Sequence, residues 1–88
     1  MSGWILLLSK EAEKQLLNLD KDTRLRIWEK ISWLKNNFDE ITPISLTDKW
    51  NDHFKLRIGD YRAIYKVDWG RNKLIIMAIS HRSKIYKL

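Results

Sequence analysis

The spacing of apolar positions along this chain changes several times, and each change marks an element. Trp4-Ile-Leu-Leu-Leu8 is a continuous apolar run, which predicts a strand buried on both faces rather than an edge. Ser9 is a favourable helix N-cap, and Glu11 and Glu13 suit the positive end of a helix dipole. Ala12, Leu16 and Leu19 then form the apolar stripe of a first helix, from about Lys10 to Asn18. Leu19-Asp-Lys-Asp22 is a polar break. Asp22 or Thr23 caps a second helix that runs to about Asn37, with Ile27, Trp28, Ile31, Leu34 and Phe38 at helical spacing. Trp28 and Trp33 read as packing residues. So short a break predicts an αα-hairpin lying across a sheet. Residues 39–52 are less regular: Pro43 bars a helix, and Ile44-Ser-Leu-Thr47 reads as a brief extended piece. Trp50 either anchors this loop or contacts a base.

From Phe54 to Tyr65 the period becomes two, interrupted by Gly59-Asp60, a two-residue turn signal of the II′ or I′ kind. The turn fixes a hairpin register with Ile58 opposite Tyr61, Arg57 opposite Arg62 and Lys55 opposite Ile64. Phe54, Leu56, Ile58, Tyr61, Ala63 and Tyr65 share one face, and Lys55, Arg57 and Arg62 share the other. Two arginines directly opposed should repel. The pattern suits a bound anion between them, and a phosphate fits best. Lys66-Val-Asp68 extends the second strand, Trp69-Gly-Arg-Asn72 reads as a four-residue turn, and Leu74–Ser80 is a third, nearly all-apolar strand. If Asp68 pairs with Lys73, a regular ladder places Arg62 opposite Ile79 and His81 on the cationic face beside the turn. A one-residue slip would move His81 to the other face. The chain ends at Leu88, and no C-terminal helix is expected. The order is strand, helical hairpin, then an antiparallel three-strand meander. That is a single α+β domain over residues 1–88, with a helical pair on one face of a mostly antiparallel sheet.

Charge narrows the partners. The formal net charge is +6, which points to a polyanion: nucleic acid, an acidic protein or an anionic membrane. Membrane is the weakest of these, since no apolar run approaches the roughly 20 residues of a spanning helix. The run Trp4–Leu8 is too short for a signal-peptide core and has no basic region before it, so a cytoplasmic location is expected. With no Cys and only His53 and His81, neither a disulfide nor a zinc site is expected, and no cofactor is implied. A hydrophobic content of 44% with five Trp is enough for a compact core.

Two stretches together resemble a known family. Leu56-Arg-Ile-Gly-Asp-Tyr-Arg-Ala-Ile-Tyr65 closely resembles the LRVGDYRVIY signature of the RelE/ParE toxin superfamily. Ile79-Ser-His-Arg-Ser-Lys-Ile-Tyr86 resembles its C-terminal IGHRREVY motif. The spacing between the motifs and the preceding strand-helix-helix also fit, so the resemblance covers essentially the whole chain. It implies a RelE-like, microbial-RNase-type fold and the toxin half of a type II toxin–antitoxin pair. RelE-like members cleave messenger RNA in the ribosomal A site. The resemblance thus implies the ribosome and mRNA as partners, with an acidic RelB-like antitoxin in a hetero-oligomer. The family's basic strand positions fall on Lys55 and Arg57, its hairpin arginine on Arg62, its C-terminal basic position on Arg82 with His81 beside it, and its terminal tyrosine on Tyr86. Lys66, Lys84 and Trp50 are further candidate substrate contacts. There are departures: better-studied RelE enzymes carry two lysines where this chain has Lys55 and Arg57, and the His/Glu pair of the YoeB-like branch is missing. ParE-like relatives share the fold but inhibit DNA gyrase. A basic nucleic-acid-binding module without catalysis is the third possibility.

Metal-free RNA cleavage uses the 2′-hydroxyl as nucleophile on the adjacent phosphate. It needs a proton removed from that hydroxyl, charge neutralised on the phosphorane, and a proton given to the leaving 5′-oxygen. Arginine suits the second task, with Arg57 and Arg62 as candidates. A lysine serves as base where nearby cations and burial depress its pKa, and Lys55 beside Arg57 fits that outline. His81 or Arg82 could protonate the leaving group, His81 being the better acid by intrinsic pKa. Tyr86 could stack on a base or orient the nucleophile.

Overall fold

A computed structural model describes residues 3–87. Strand β1 (Ile5–Leu8) leads into helices α1 (Lys10–Leu17) and α2 (Lys21–Asn37). After a 3-10 turn (Phe38–Glu40) come a two-residue strand β2 (Ile44–Ser45), a second 3-10 turn (Asp48–Trp50), β3 (Phe54–Ile58), β4 (Tyr61–Asp68), β5 (Lys73–His81) and a third 3-10 turn, Ile85–Lys87. Leu88, the expected chain end, lies outside the described residues. The five strands form one sheet in the order β1-β5-β4-β3-β2, with β1 parallel to β5 and every other pair antiparallel.

The helices start where short polar side chains can satisfy their free N–H groups. Ser9 Oγ accepts the Ala12 N–H at 3.0 Å, as expected. The cap of α2 is Asp20, two or three residues earlier than expected. Its carboxylate accepts the Thr23 N–H at 3.2 Å and the Thr23 hydroxyl at 2.6 Å. The Thr23 hydroxyl holds the Asp20 carboxyl below the usual carboxylate range.

One face of the sheet packs on both helices. Ala12 and Leu16 of α1 and Ile27, Ile31 and Leu34 of α2 join Leu56, Ile58, Ala63, Tyr65, Leu74, Ile76 and Ile79 in one buried cluster. Trp4 and Phe38 close its end, their rings edge-to-face at 4.7 Å. On the opposite, outer face a smaller cluster forms where Ile85 of the C-terminal turn covers Ile64 and Ala78, flanked by Leu46 and Trp50.

Three expectations fail here. β1 is an edge strand, with Ile5 50% and Leu7 41% exposed, because its neighbours lie on one side only. A short apolar run does not say how many neighbours a strand has. Trp28 and Trp33 are also exposed, at 45% and 41%. The α2 stripe that faces the sheet is Ile27, Ile31 and Leu34, and the two indoles lie off it. Lys30 Nζ instead sits 3.9 Å from the Trp33 ring centroid, a cation–π contact.

Burial pushes the Tyr65 phenol up to about 12. The folded value lies above the unfolded value near 10. The stabilisation is therefore complete below pH 10 and is lost as pH rises from 10 towards 12. Thermal melts taken across that window should show a falling midpoint, with a smaller fall in Tyr65→Phe. Equal falls in both proteins would remove Tyr65 as the cause.

Candidate functional site

The hairpin that carries the basic residues has the expected register: Lys55 opposite Ile64, Arg57 opposite Arg62 and Ile58 opposite Tyr61. Gly59 has φ +57° and Asp60 does not share a positive φ, which selects the II′ form over I′. A Cβ at Gly59 would meet nothing within 4 Å, so backbone conformation alone calls for glycine there.

Arg62 corrects the expectation that the opposed arginines simply repel and await an anion between them. Its side chain is buried, and Nη1 donates to the carbonyl oxygens of Gly59 and Tyr61, each at 2.8 Å. The guanidinium thus folds back onto the turn while Arg57 remains exposed. Repulsion across the strand pair is relieved, because one cation is committed to backbone carbonyls.

The third strand follows the expected register only at its start. Asp68 pairs with Lys73 and Tyr65 with Ile76, but Ile64 then pairs with Ala78. Met77 is an extra, unopposed residue, a β-bulge. Arg62 is consequently opposite Ser80, not Ile79, and Tyr61 is opposite His81. His81 therefore leaves the cationic face and lies edge-on to Tyr61, ring centroids 5.5 Å apart. Its Nδ1 accepts the Ser83 N–H at 3.1 Å and contacts Ser83 Oγ at 2.9 Å. That arrangement leaves Nε2 as the ring's free position.

Arg82 comes to the hairpin tip. Its N–H donates to the Asp60 carbonyl at 2.7 Å, and its exposed Nε lies 3.8 Å from the Asp60 carboxylate. On the outer face Lys55, Trp50 and Tyr86 line one cleft of about 330 Å³, together with Leu46, Thr47 and Lys49. Trp50 does the work of an anchor, since its indole packs beside Ile64, Ala78 and Ile85. Its Nε1 is buried and has no hydrogen-bond partner among the described residues. Arg57 lines a groove between β3 and α2 with Arg26, Glu29, Lys30, Trp33 and Gly59, and shares a further cavity with Lys55 beside Trp33 and Ile44. Lys66 on β4 and Lys84 in the turn after β5 are exposed and line none of these spaces. The expected residues thus fall into a cleft (Lys55, Trp50, Tyr86) and a hairpin tip (Arg62, Arg82). Sequence reasoning missed Lys49, although its place beside Trp50 on an irregular loop was a usable signal.

A family model described as the ParE toxin of type II toxin–antitoxin systems, parDE, matches residues 6–86. The chain belongs to this family.

This ParE-family toxin also resembles solved structures. The RelBE2 toxin–antitoxin complex of Mycobacterium tuberculosis matches over 91% of this chain and 99% of that one, at 20% identity and TM-score 0.80. The RelE–RelB complex of Pyrococcus horikoshii OT3 matches over 93% and 98%, at 25% identity and TM-score 0.70. The isolated E. coli RelE toxin matches over 96% and 92%, at 19% identity and TM-score 0.73. No curated protein matches. The superfamily resemblance of the two sequence motifs and the RelE-like α+β fold are both borne out. Among the described residues, no helix of the toxin is long and apolar enough to cross a membrane.

Proposed function

We propose that this toxin is a RelE-like endoribonuclease that cleaves messenger RNA on the ribosome by attack of the 2′-hydroxyl. One observation carries the reading: Lys55, Tyr86 and Trp50, from three separate parts of the chain, line one cleft on the outer face. An aromatic wall beside lysines suits a single-stranded, splayed-out nucleotide. In the proposed step the 2′-oxygen bonds to phosphorus and the bond from phosphorus to the 5′-oxygen breaks. The 2′-hydroxyl proton goes to a base, for which Lys55 is the candidate, and the leaving 5′-oxygen takes a proton from water. Lys55, once protonated, offsets the charge that builds on the phosphorane, and Arg82 at the hairpin tip holds a neighbouring phosphate of the strand. Arg62 holds the tip that carries Arg82's partner, Asp60. The ribosome would supply alignment of the mRNA.

Cations at these positions take the role a metal would have. Cleavage should therefore survive chelation with EDTA under conditions that keep ribosomes intact. The products should carry a 2′,3′-cyclic phosphate, or its hydrolysed form, and a 5′-hydroxyl. Loss of cleavage on chelation, or a 5′-phosphate product, would sink this mechanism.

The second reading is a ParE-like inhibitor of DNA gyrase without RNA cleavage, favoured by the ParE description of the matching family model. RNA from cells induced for the toxin separates the two. Cuts within coding regions support the ribonuclease, whereas intact mRNA with an induced DNA-damage response supports gyrase inhibition. Under either reading an acidic antitoxin meets the +6 net charge. Its association should be fast and weaken with salt.

A further inference from the structure

The bulge at Met77 is held from outside the sheet. A bulge leaves backbone groups without ladder partners, and buried ones need substitutes. Helix α1 and its cap supply them. Ser9 N–H donates to the Ile76 carbonyl at 2.8 Å and so continues the β1–β5 ladder, while Ser9 Oγ donates to the Met77 carbonyl at 3.0 Å and accepts the Ala12 N–H. Gln15 Oε1, 64 residues away in sequence, accepts the Ile79 N–H at 2.6 Å. Met77 and Ile79 are thus tied to α1 and its N-cap, while Ala78 pairs with Ile64.

The alternative ladder is easily written. Without the bulge, Met77 would pair with Ile64, Ala78 with Ala63 and Ile79 with Arg62. Ile79, now 2% exposed in the main core, would turn outward, and Ala78 would turn inward. His81 would lie opposite Asp60 on the outer face. The register of everything after residue 77 therefore depends on which ladder wins. Burial of Ile79 and the two side-chain bonds from α1 favour the observed one.

We propose that Gln15 and Ser9 are positioning residues that lock this register and so seat His81 against Tyr61 and Arg82 against the Gly59-Asp60 turn. The consequence for RNA cleavage rests on the ribonuclease reading, whereas the register itself does not. The test compares Gln15→Ala, Gln15→Glu, and Gln15→Ala combined with deletion of Met77. Deleting the extra residue leaves Ile64 opposite Ala78 and Tyr61 opposite His81 with no bulge to hold. Register is read by NMR, from the nuclear Overhauser contact between the Tyr61 and His81 rings, and cleavage is read per folded molecule.

Gln15→Ala should lose the ring contact, or split it between two states, and should cleave at least tenfold more slowly. Gln15→Glu keeps the acceptor and should behave as the parent. The deletion in the Gln15→Ala background should restore both the contact and cleavage. A residue that only stabilises the fold would not be rescued by shortening a strand. An unchanged Tyr61–His81 contact in Gln15→Ala, or no rescue by the deletion, overturns the proposal. If Gln15→Ala does not fold, the double variant must regain folding and the contact, or the proposal falls. If the contacts follow the expected pattern while the parent itself cuts no RNA, the register proposal holds and the ribonuclease reading fails.

Discussion

Lys55→Ala is expected to slow cleavage of ribosome-bound mRNA by about 10²–10³-fold, or roughly 3–4 kcal/mol, the loss typical of one fixed charge at a charge-developing centre. Lys55 is half-buried on β3 and lines the cleft with Tyr86 and Trp50. Its side chain makes no hydrogen bond or ion pair among the described residues, so truncation costs only the packing of its methylenes. The melting temperature should therefore stay close to the parent's. Lys55→Arg refines the result. Arginine keeps the charge but does not give up its proton near neutral pH, so recovery of the rate would assign Lys55 to charge and continued loss would assign it to proton transfer. Normal cleavage by folded Lys55→Ala would remove this cleft from the mechanism.

Arg62→Ala should have its main effect on stability. The substitution deletes a buried guanidinium and two bonds of 2.8 Å to the carbonyls of the turn. Bonds from a charged donor contribute more than neutral ones, and the carbonyls lose their partner. A loss of roughly 2 kcal/mol is expected, which for a domain of this size lowers the melting temperature by about 10 °C. Because Arg82 docks on Asp60 of the same turn, cleavage should fall as well. Arg62→Lys keeps the charge without the planar fork and should recover only part of either property. Thermal melting of both variants beside the parent decides the matter. A melt equal to the parent's would show that the turn does not need the arginine and would return Arg62 to a purely electrostatic role.

The hairpin shows how far a sequence can be read. A two-residue turn fixes register by geometry, so Arg57 opposite Arg62 followed from Gly59-Asp60 alone. The stripes of α1 and α2 followed from helical spacing, and Ser9 capped α1 because a short hydroxyl reaches a free N–H three residues on. The two basic motifs identified the superfamily because they combine residue type with spacing.

Tertiary structure decided what local rules leave equal. Nothing in Trp4–Leu8 counts neighbouring strands, so its place at the sheet edge emerged only from the assembled order. Nothing near Arg62 distinguishes a phosphate ligand from a turn brace, since both use the same donors. The face on which His81 lies depends on Met77 lying out of the ladder, and that depends on Gln15, 62 residues before it, meeting the Ile79 N–H. Period and propensity act over a few residues, whereas a bulge is stable only when a distant element satisfies the groups it frees. The residue types of the candidate site were legible in the sequence, but the face each one occupies was set by packing between α1 and the end of β5.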